Sequence, residues 1–216
     1  MKHLSPAQVA ADGPVRTPTR RALAKQQTRA KVLAAARRLF SQEGYEGATI
    51  RDIASAAGMS TGAVFANFTD KSDLFREIMT ADLEALLGSM REAADGAADV
   101  EEALLKVFMA GYGFYKSRLP LARAAFAVWW DQEGGPVLRN LPPLVGIQTL
   151  IADLLAGALE RGELAAPGEL KLRGHMLFET YLANFSQAIF ENWTLEALES
   201  RARDQIRILL AGARRA

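Results

Sequence analysis

Residues 49–68, TIRDIASAAGMSTGAVFANF, restrict the fold of this chain more than any other stretch. Thr49 stands three residues before Asp52, a spacing typical of a helix start, and Ser60 is placed to cap a second helix. Between them, Gly58 can adopt the left-handed backbone conformation that turns a chain at the end of a helix. The stretch therefore predicts two short helices joined by a tight turn, which is a helix-turn-helix.

The apolar residues of this unit can be buried on one side only. Those expected to pack together are Ile50, Ile53, Val64 and Phe68 of the unit and Val32, Ala36 and Phe40 of the preceding helix. The side chains left outward are Thr61, Gly62, Ala63, Ala66 and Asn67. Such a small, weakly charged surface lets a helix enter the major groove of DNA, and free amides at the two helix starts can bind phosphates. A helical corner that only packs is the alternative for any single residue.

Helical periodicity continues along the chain, without strand alternation. A first run of apolar residues begins near Lys25 and stops at Gly44, and another follows Lys71 to about residue 90. Later runs cover about 99–117, 120–131, 141–161, 169–192 and 195–213. The sequence therefore predicts an all-α fold. We divide it into a flexible basic arm at 1–22, a helix-turn-helix domain at 23–71 and a larger helical domain at 72–216.

The charge is divided between the two ends of the chain. Residues 1–71 carry 11 basic and 5 acidic side chains, a net charge of +6, and the remainder carries −5. A basic N-terminal third suggests contact with a polyanion, although a solvated tail and helix face would give the same imbalance. The absence of cysteine excludes disulfides and favours a reducing compartment, the cytoplasm. No apolar run of 18 residues is free of charge, so we expect a soluble protein and no membrane contact.

Catalytic signatures are missing from the sequence. It contains no nucleophile paired with a base, no paired-carboxylate motif, no glycine-rich phosphate loop and no cofactor signature. We therefore predict no enzyme, no catalytic residue and no cofactor. A metal site is not expected either, because the only other histidine available to His175 is His3 in the tail.

The run TIRDIASAAGMSTGAVFANFTDKSDLF (49–75), with RAKVLAAARRLFSQEGYEGAT upstream, closely resembles the DNA-binding segment of TetR-family (tetracycline-repressor-like) transcriptional regulators. The resemblance extends over about residues 26–80. It implies a dimeric, ligand-responsive regulator, a repressor released from a palindromic operator by a small-molecule effector. It also implies a three-helix DNA-binding domain and a larger helical domain that binds the effector. An activator of the same fold and a sequence-nonspecific DNA-binding protein are the alternatives.

Carried over position by position, the resemblance assigns the contacts with double-stranded DNA. The implied DNA-binding residues are Thr49, Arg51, Ser60, Thr61, Gly62, Ala63, Phe65, Asn67 and Lys71. Phe65 departs from the family's usual Tyr and lacks its hydroxyl, and Asn67 occupies a position usually held by His or Tyr. In the arm, Arg20, Arg21 and Lys25 could reach phosphates or the minor groove, or could serve solubility alone.

The pocket for the unknown effector is harder to assign, since most aromatic residues of the larger domain must be core. Our candidates are Tyr112, Tyr115, Arg118, Arg123, Trp129, Trp130, His175 and Tyr181. The two arginines could pair with an anionic effector, or with Asp131 or Glu179. Dimerisation is expected through residues 169–213. Its predicted apolar contacts are Leu172, Met176, Tyr181, Phe185, Ile189, Leu198, Ile206, Leu209 and Leu210.

Overall fold

The computed structural model describes residues 19–129, 138–165 and 167–213. Within these ranges the chain forms nine α-helices, which we number in chain order: α1 (Arg20–Gly47), α2 (Ile50–Ala56), α3 (Thr61–Phe65), α4 (Lys71–Ala94), α5 (Val100–Lys116), α6 (Leu119–Trp129), α7 (Pro142–Glu160), α8 (Leu170–Phe190) and α9 (Leu195–Ala211). A short 3-10 helix, Pro167–Glu169, precedes α8. The prediction of an all-α fold is confirmed.

Helix α1 starts earlier than predicted. Thr19 caps it by accepting a hydrogen bond from the Ala22 amide (3.3 Å), so the helix begins at Arg20 rather than near Lys25. Its first two turns bury no apolar side chain, and hydrophobic periodicity therefore cannot reveal them. The predicted arm at 1–22 otherwise lies outside the described residues. Gly44 interrupts α1 at φ 76° as expected, although helical geometry resumes as far as Gly47.

Helices α2 and α3 pack on α1 as the apolar pattern predicts. Ile53, Val64 and Phe68 are buried against a core that contains Val32, Ala36 and Phe40, while Ile50 is half-buried. Gly58 has φ 69° in the turn between the two helices, the conformation for which glycine was expected. A larger residue there would be strained by its backbone and not by any neighbour, because the space around its Cα is open.

Helix α4 connects the N-terminal unit to the larger domain. It packs on α1 and also on α5 and α7, while α9 packs on α5 and α8. Its buried residues belong to one hydrophobic core, which also contains residues of α1–α3 and of the larger domain. Helix α6 packs against α1, so the N-terminal unit contacts the larger domain through two helices.

Helix α7 is, among the described residues, the one helix long and apolar enough to cross a membrane. The core helix of a soluble protein meets the same criterion. Here Ile147, Ile151 and Leu155 are almost completely buried, and α7 packs on α4 and α8. Its apolar character is therefore explained by packing within the chain.

Helices α8 and α9 use most of their predicted interface residues inside the chain. Tyr181, Phe185, Ile189, Leu198, Ile206 and Leu210 are buried in the core, and Leu209 is partly buried against it. Leu172 and Met176 do remain exposed, by 61% and 43%, and so does Ile208, by 72%, which was not predicted. The periodicity correctly marked apolar faces on these helices but could not separate the inward face from the outward one.

Candidate nucleic-acid interface and ligand cavity

Side-chain caps shape the starts of α2 and α3. The Asp52 amide donates to the Thr49 hydroxyl (3.2 Å), which in turn hydrogen-bonds to the Asp52 carboxylate. In the same way, the Ala63 amide donates to the Ser60 hydroxyl (3.2 Å). Each cap satisfies one of the amides left free at a helix start and leaves others available to a phosphate.

The outward side of α3 is small except for one ring. Thr61, Gly62 and Ala66 are exposed and Ala63 is half-exposed. Phe65 is 55% exposed, which is unusual for a large aromatic side chain on a five-residue helix. The ring therefore belongs to the candidate interface and not to the core.

Asn67 and Lys71 are held by contacts within the chain. The Asn67 side-chain amide donates to the Ala63 carbonyl (2.9 Å), and its Oδ1 is buried without a partner among the described residues. The Lys71 ammonium donates to the Tyr45 carbonyl (2.9 Å), lies 4.3 Å from the centre of the Tyr45 ring and is 3.7 Å from the Glu46 carboxylate. A phosphate would have to compete with these contacts for Lys71.

Four basic side chains have no such competition. Arg20, Arg21, Lys25 and Arg51 are exposed, and within the described ranges none forms a side-chain hydrogen bond or an ion pair. Arg51 belongs to α2, whereas the other three lie on the first turns of α1. Unpaired surface cations of this kind are available for phosphates without breaking an existing contact.

A cavity of about 330 Å³ lies in the larger domain. Its described walls come from α4, α5, α6, α7 and α8 and from Leu138. The lining residues are Met79, Leu83, Leu86, Tyr115, Ala125, Phe126, Trp129, Leu138, Leu144, Ile147, Glu179, Tyr181, Leu182, Ala183, Phe185 and Ser186. This is a mainly apolar space with few polar groups, the usual character of a small-molecule site.

Three tyrosines stand at one side of the cavity. Tyr112 and Tyr181 stack with ring centres 5.2 Å apart, and Tyr115 lies 4.5 Å from Phe185. Burial raises the pKa of all three hydroxyls, so they remain neutral hydrogen-bonding groups. The Tyr181 hydroxyl is buried against Gly111 and has no hydrogen-bond partner among the described residues, an arrangement that costs about 1–3 kcal/mol.

Only three of the predicted pocket residues line this cavity: Tyr115, Trp129 and Tyr181. Tyr112 is buried behind them, where its hydroxyl accepts from Asn184 Nδ2 (3.3 Å). His175 is exposed on α8 and outside the lining, and Trp130 lies outside the described residues.

The two predicted pocket arginines also point elsewhere. Arg118 stacks on the Phe114 ring and donates to the Phe114 carbonyl (3.0 Å), and Arg123 donates to the Ile189 carbonyl (3.2 Å). Neither pairs with Glu179, and Asp131 is not among the described residues. Neither arginine lines this cavity, because the Phe114 carbonyl one turn away holds Arg118 and the Ile189 carbonyl of α8 holds Arg123.

Residues 32–78, which contain the capped helices and the turn, match the family model described as bacterial regulatory proteins, tetR family. This match covers 47 of the 216 residues, so the similarity to the TetR family is shown for the N-terminal part of the chain. Curated relatives include the transcriptional repressor AcnR of Corynebacterium efficiens, 37% identical over 79 residues, which are 37% of this chain and 41% of AcnR. The transcriptional repressor KstR2 of Rhodococcus jostii is 28% identical over 135 residues, 62% of this chain and 64% of KstR2. The chain thus spans less than two thirds of each relative.

Solved structures extend the likeness in fold to the larger domain of this chain. The fatty acid degradation regulator FadR of Bacillus halodurans superposes with a TM-score of 0.70 at 22% identity, covering 85% of this chain and 94% of FadR. FadR of Bacillus subtilis, solved with stearoyl-CoA, gives 0.71 at 18% identity, covering 85% and 98%. At these identities the likeness concerns the fold. The named relatives are regulators and not enzymes, as predicted.

Two ion pairs connect the N-terminal unit of this chain to the cavity wall, and the sequence did not reveal them. Arg37 of α1 donates to both carboxylate oxygens of Asp82 at 2.7 Å, and Arg29 of α1 pairs with Glu77. Asp82 is buried on α4, next to the lining residue Leu83. No local signal could have found these pairs, because their members are 45 and 48 residues apart.

Proposed function

We propose that this chain is a dimeric, cytoplasmic TetR-family regulator, a repressor that a small molecule releases from a palindromic DNA operator. The observation that carries the proposal is the arrangement of α4. This helix begins at the helix-turn-helix, with its cap at Asp70, and three turns later supplies Met79, Leu83 and Leu86 to the cavity wall. A ligand in the cavity therefore contacts the same rigid element that supports the DNA-binding unit.

On the DNA side, the proposal assigns base and backbone contacts to the surface around α3. Thr61, Gly62, Ala63 and Phe65 would face base edges, with Phe65 placed against a thymine methyl. Thr49, Arg51, Ser60, Asn67 and Lys71 would contact the backbone, and Arg20, Arg21 and Lys25 would add phosphate contacts from the start of α1. Two observations support this assignment. Helix α3 is exposed, and Arg20, Arg21 and Lys25 have no ion-pair partner within the described ranges.

Release would follow from a change in the position of α4 relative to α1. Two ion pairs tie these helices, and α6 has cavity residues on one side and α1 on another. An effector that fits one arrangement of α4 and α6 better than the other shifts the population towards it. The spacing of the two recognition helices then no longer fits two half-sites, and DNA affinity falls.

Dimerisation supplies the second recognition helix. The exposed side chains Leu172 and Met176 of α8 and Ile208 of α9 are large and apolar, and a second copy would bury them. Sedimentation of the wild-type chain should show a dimer. Ile208→Glu should shift it towards the monomer, whereas Glu191→Gln, a change at the exposed residue that directly follows α8, should not.

Selection of binding sites from a randomised DNA duplex library tests the DNA half of the proposal. We expect enrichment of a palindrome, with half-sites one helical turn or a multiple apart. Equal binding to all sequences, lost steeply and uniformly as salt rises, would instead indicate the nonspecific DNA-binding protein.

A titration of the selected operator with a panel of lipophilic and acyl compounds tests the induction half. At least one compound should weaken DNA binding, and its effect should disappear in a variant with a blocked cavity, such as Ala125→Trp. A reporter gene placed behind the operator then decides the sign of regulation, because activation would raise its expression above the level without the protein.

A further inference from the structure

We infer that the ligand of the α4–α8 cavity is a lipophilic molecule with a single cationic group, such as a long-chain or aromatic amine, and not an acyl anion. This inference rests on the proposed function, in which that cavity holds the effector. It goes further by assigning the sign of the ligand's charge and the residues that recognise it.

The first observation is the charge of the lining. Of the described residues that line the cavity, the only charged one is Glu179. It is exposed, and within the described ranges it has no hydrogen-bond or ion-pair partner. A carboxylate at the edge of an apolar space attracts a cation and repels an anion, and the apolar walls weaken solvent screening there.

Three arginines close to the cavity walls in the sequence, Arg118, Arg123 and Arg139, are held by hydrogen bonds to backbone carbonyls. Arg139 follows the lining residue Leu138, but it donates to the Trp129 carbonyl (2.8 Å) with its guanidinium above the Trp129 ring. As described above, Arg118 and Arg123 are also held by backbone carbonyls. None of these three arginines is therefore free to pair with an acyl carboxylate or a CoA phosphate.

The aromatic walls are the second observation. Phe126 and Tyr181 each lie beside Phe185, with ring centres 5.8 and 6.5 Å away, and Trp129 lines the same space. Aromatic faces attract cations through the ring quadrupole, most strongly where water is excluded. The same walls bind an alkyl or aryl group by burial of apolar surface, so one ligand can use both.

The third observation is the unpartnered hydroxyl of Tyr181, which is 3% exposed. It lies against Gly111 and beside Met90, two residues that do not line the cavity, so Tyr181 contributes its ring to the ligand surface and not its hydroxyl. The preference for charge is therefore assigned to Glu179 alone.

Direct binding of three dodecyl probes of equal chain length tests this: dodecylammonium, dodecanol and dodecanoate, each kept below its micelle concentration. Full-length protein is used in its native oligomeric state, because α8 is also a proposed dimer helix. Calorimetry, without DNA, should show dodecylammonium binding about tenfold more tightly than dodecanoate, with dodecanol between them.

Variants assign the preference to particular side chains. Glu179→Gln should weaken dodecylammonium about tenfold, leave dodecanol unchanged and strengthen dodecanoate. The control Glu191→Gln removes an exposed acid that directly follows α8 and does not line the cavity, and the order of affinities should stay as in the wild type. Tyr181→Phe removes a hydroxyl that lies behind the cavity wall, so the order of the three affinities should stay as in the wild type.

Contrary results are separable from failure of the regulator proposal. Tighter binding of dodecanoate, an unchanged order in Glu179→Gln, or no binding of any probe would overturn the cationic ligand. If a CoA ester nevertheless released the selected operator, the regulator proposal would stand and only this inference would fall. Conversely, amine binding that left DNA affinity unchanged would support the ligand class and overturn induction.

Discussion

The helix-turn-helix and the cavity of the larger domain differ in how far along the chain their contacts reach. The caps of α2 and α3 join residues three positions apart, and the turn depends on one glycine. The cavity instead joins Met79 to Ser186, more than one hundred positions apart along the sequence. A surface built from local contacts can be recognised in a short stretch of sequence, whereas a space between five helices exists only after they have packed.

Gly62→Glu should produce the largest effect and tests the local surface alone. A glutamate on exposed α3 would put a charge and a longer side chain where the groove needs a small one, and we expect at least a 100-fold loss of operator affinity. The thermal midpoint should change little, because the nearest atom to an added Cβ is 3.9 Å away. Anisotropy titrations with the control Ala81→Glu, exposed on α4, should show wild-type affinity. Equal losses in both variants would mean that added charge alone is responsible.

Gly111→Ala tests the packing behind the cavity. A Cβ at this position would overlap the Tyr181 hydroxyl and lie 2.6 Å from Met90 Cε, inside a buried region. We expect a loss of about 1–3 kcal/mol in the free energy of unfolding, measured with urea. Gly113→Ala on the same helix has open space around it and should be neutral or stabilising by about 0.5–1 kcal/mol. Equal stability of the two variants would show that the close approach at Gly111 is absent in solution.

The Arg37–Asp82 pair tests the connection between the two regions. Asp82 is buried and Arg37 is partly exposed, so a double-mutant cycle with Arg37→Met and Asp82→Asn should give a coupling energy of about 1–2 kcal/mol. The exposed pair of Arg203 and Glu199 should give only about 0.3–0.5 kcal/mol by the same method. If the two pairs coupled equally weakly, α1 would not be anchored to α4 by charge.

Asp70→Asn should have the smallest effect, because asparagine can retain the cap of α4. Hydrogen bonds from the Ser72 hydroxyl and the Asp73 amide lower the pKa of Asp70 below its usual 3.8. The charged form is thus favoured by folding, and its contribution is present above pH 4 and lost as the pH falls through the folded value. Since Asp70 is solvent-exposed, we expect a difference below about 1 kcal/mol at pH 7 that is smaller at pH 3, by urea unfolding. A larger difference at pH 3 would contradict this sign.

The sequence alone supported the fold and the outline of the DNA-binding unit because those depend on local rules. Caps at Thr49 and Ser60, the turn at Gly58 and the boundaries of the later helices were confirmed to within a few residues. The assignment of DNA contacts to these residues stays a prediction. The first turns of α1 escaped detection because they bury nothing on which a periodic pattern could depend.

Only the tertiary structure decided what lines the cavity and which helix faces remain outside. Tyr112 and Tyr115 look alike in the sequence, yet one is behind the wall and the other in it. Arg118 and Arg123 were plausible anion ligands in the sequence, but backbone carbonyls hold both of them in the structure. Glu179 became a candidate ligand contact because no other charged side chain among the described residues lines the cavity. Local hydrogen bonds and periodicity depend on residues that are close in the sequence. The sign of a cavity's charge depends instead on which charged side chains remain unpaired after the helices have packed.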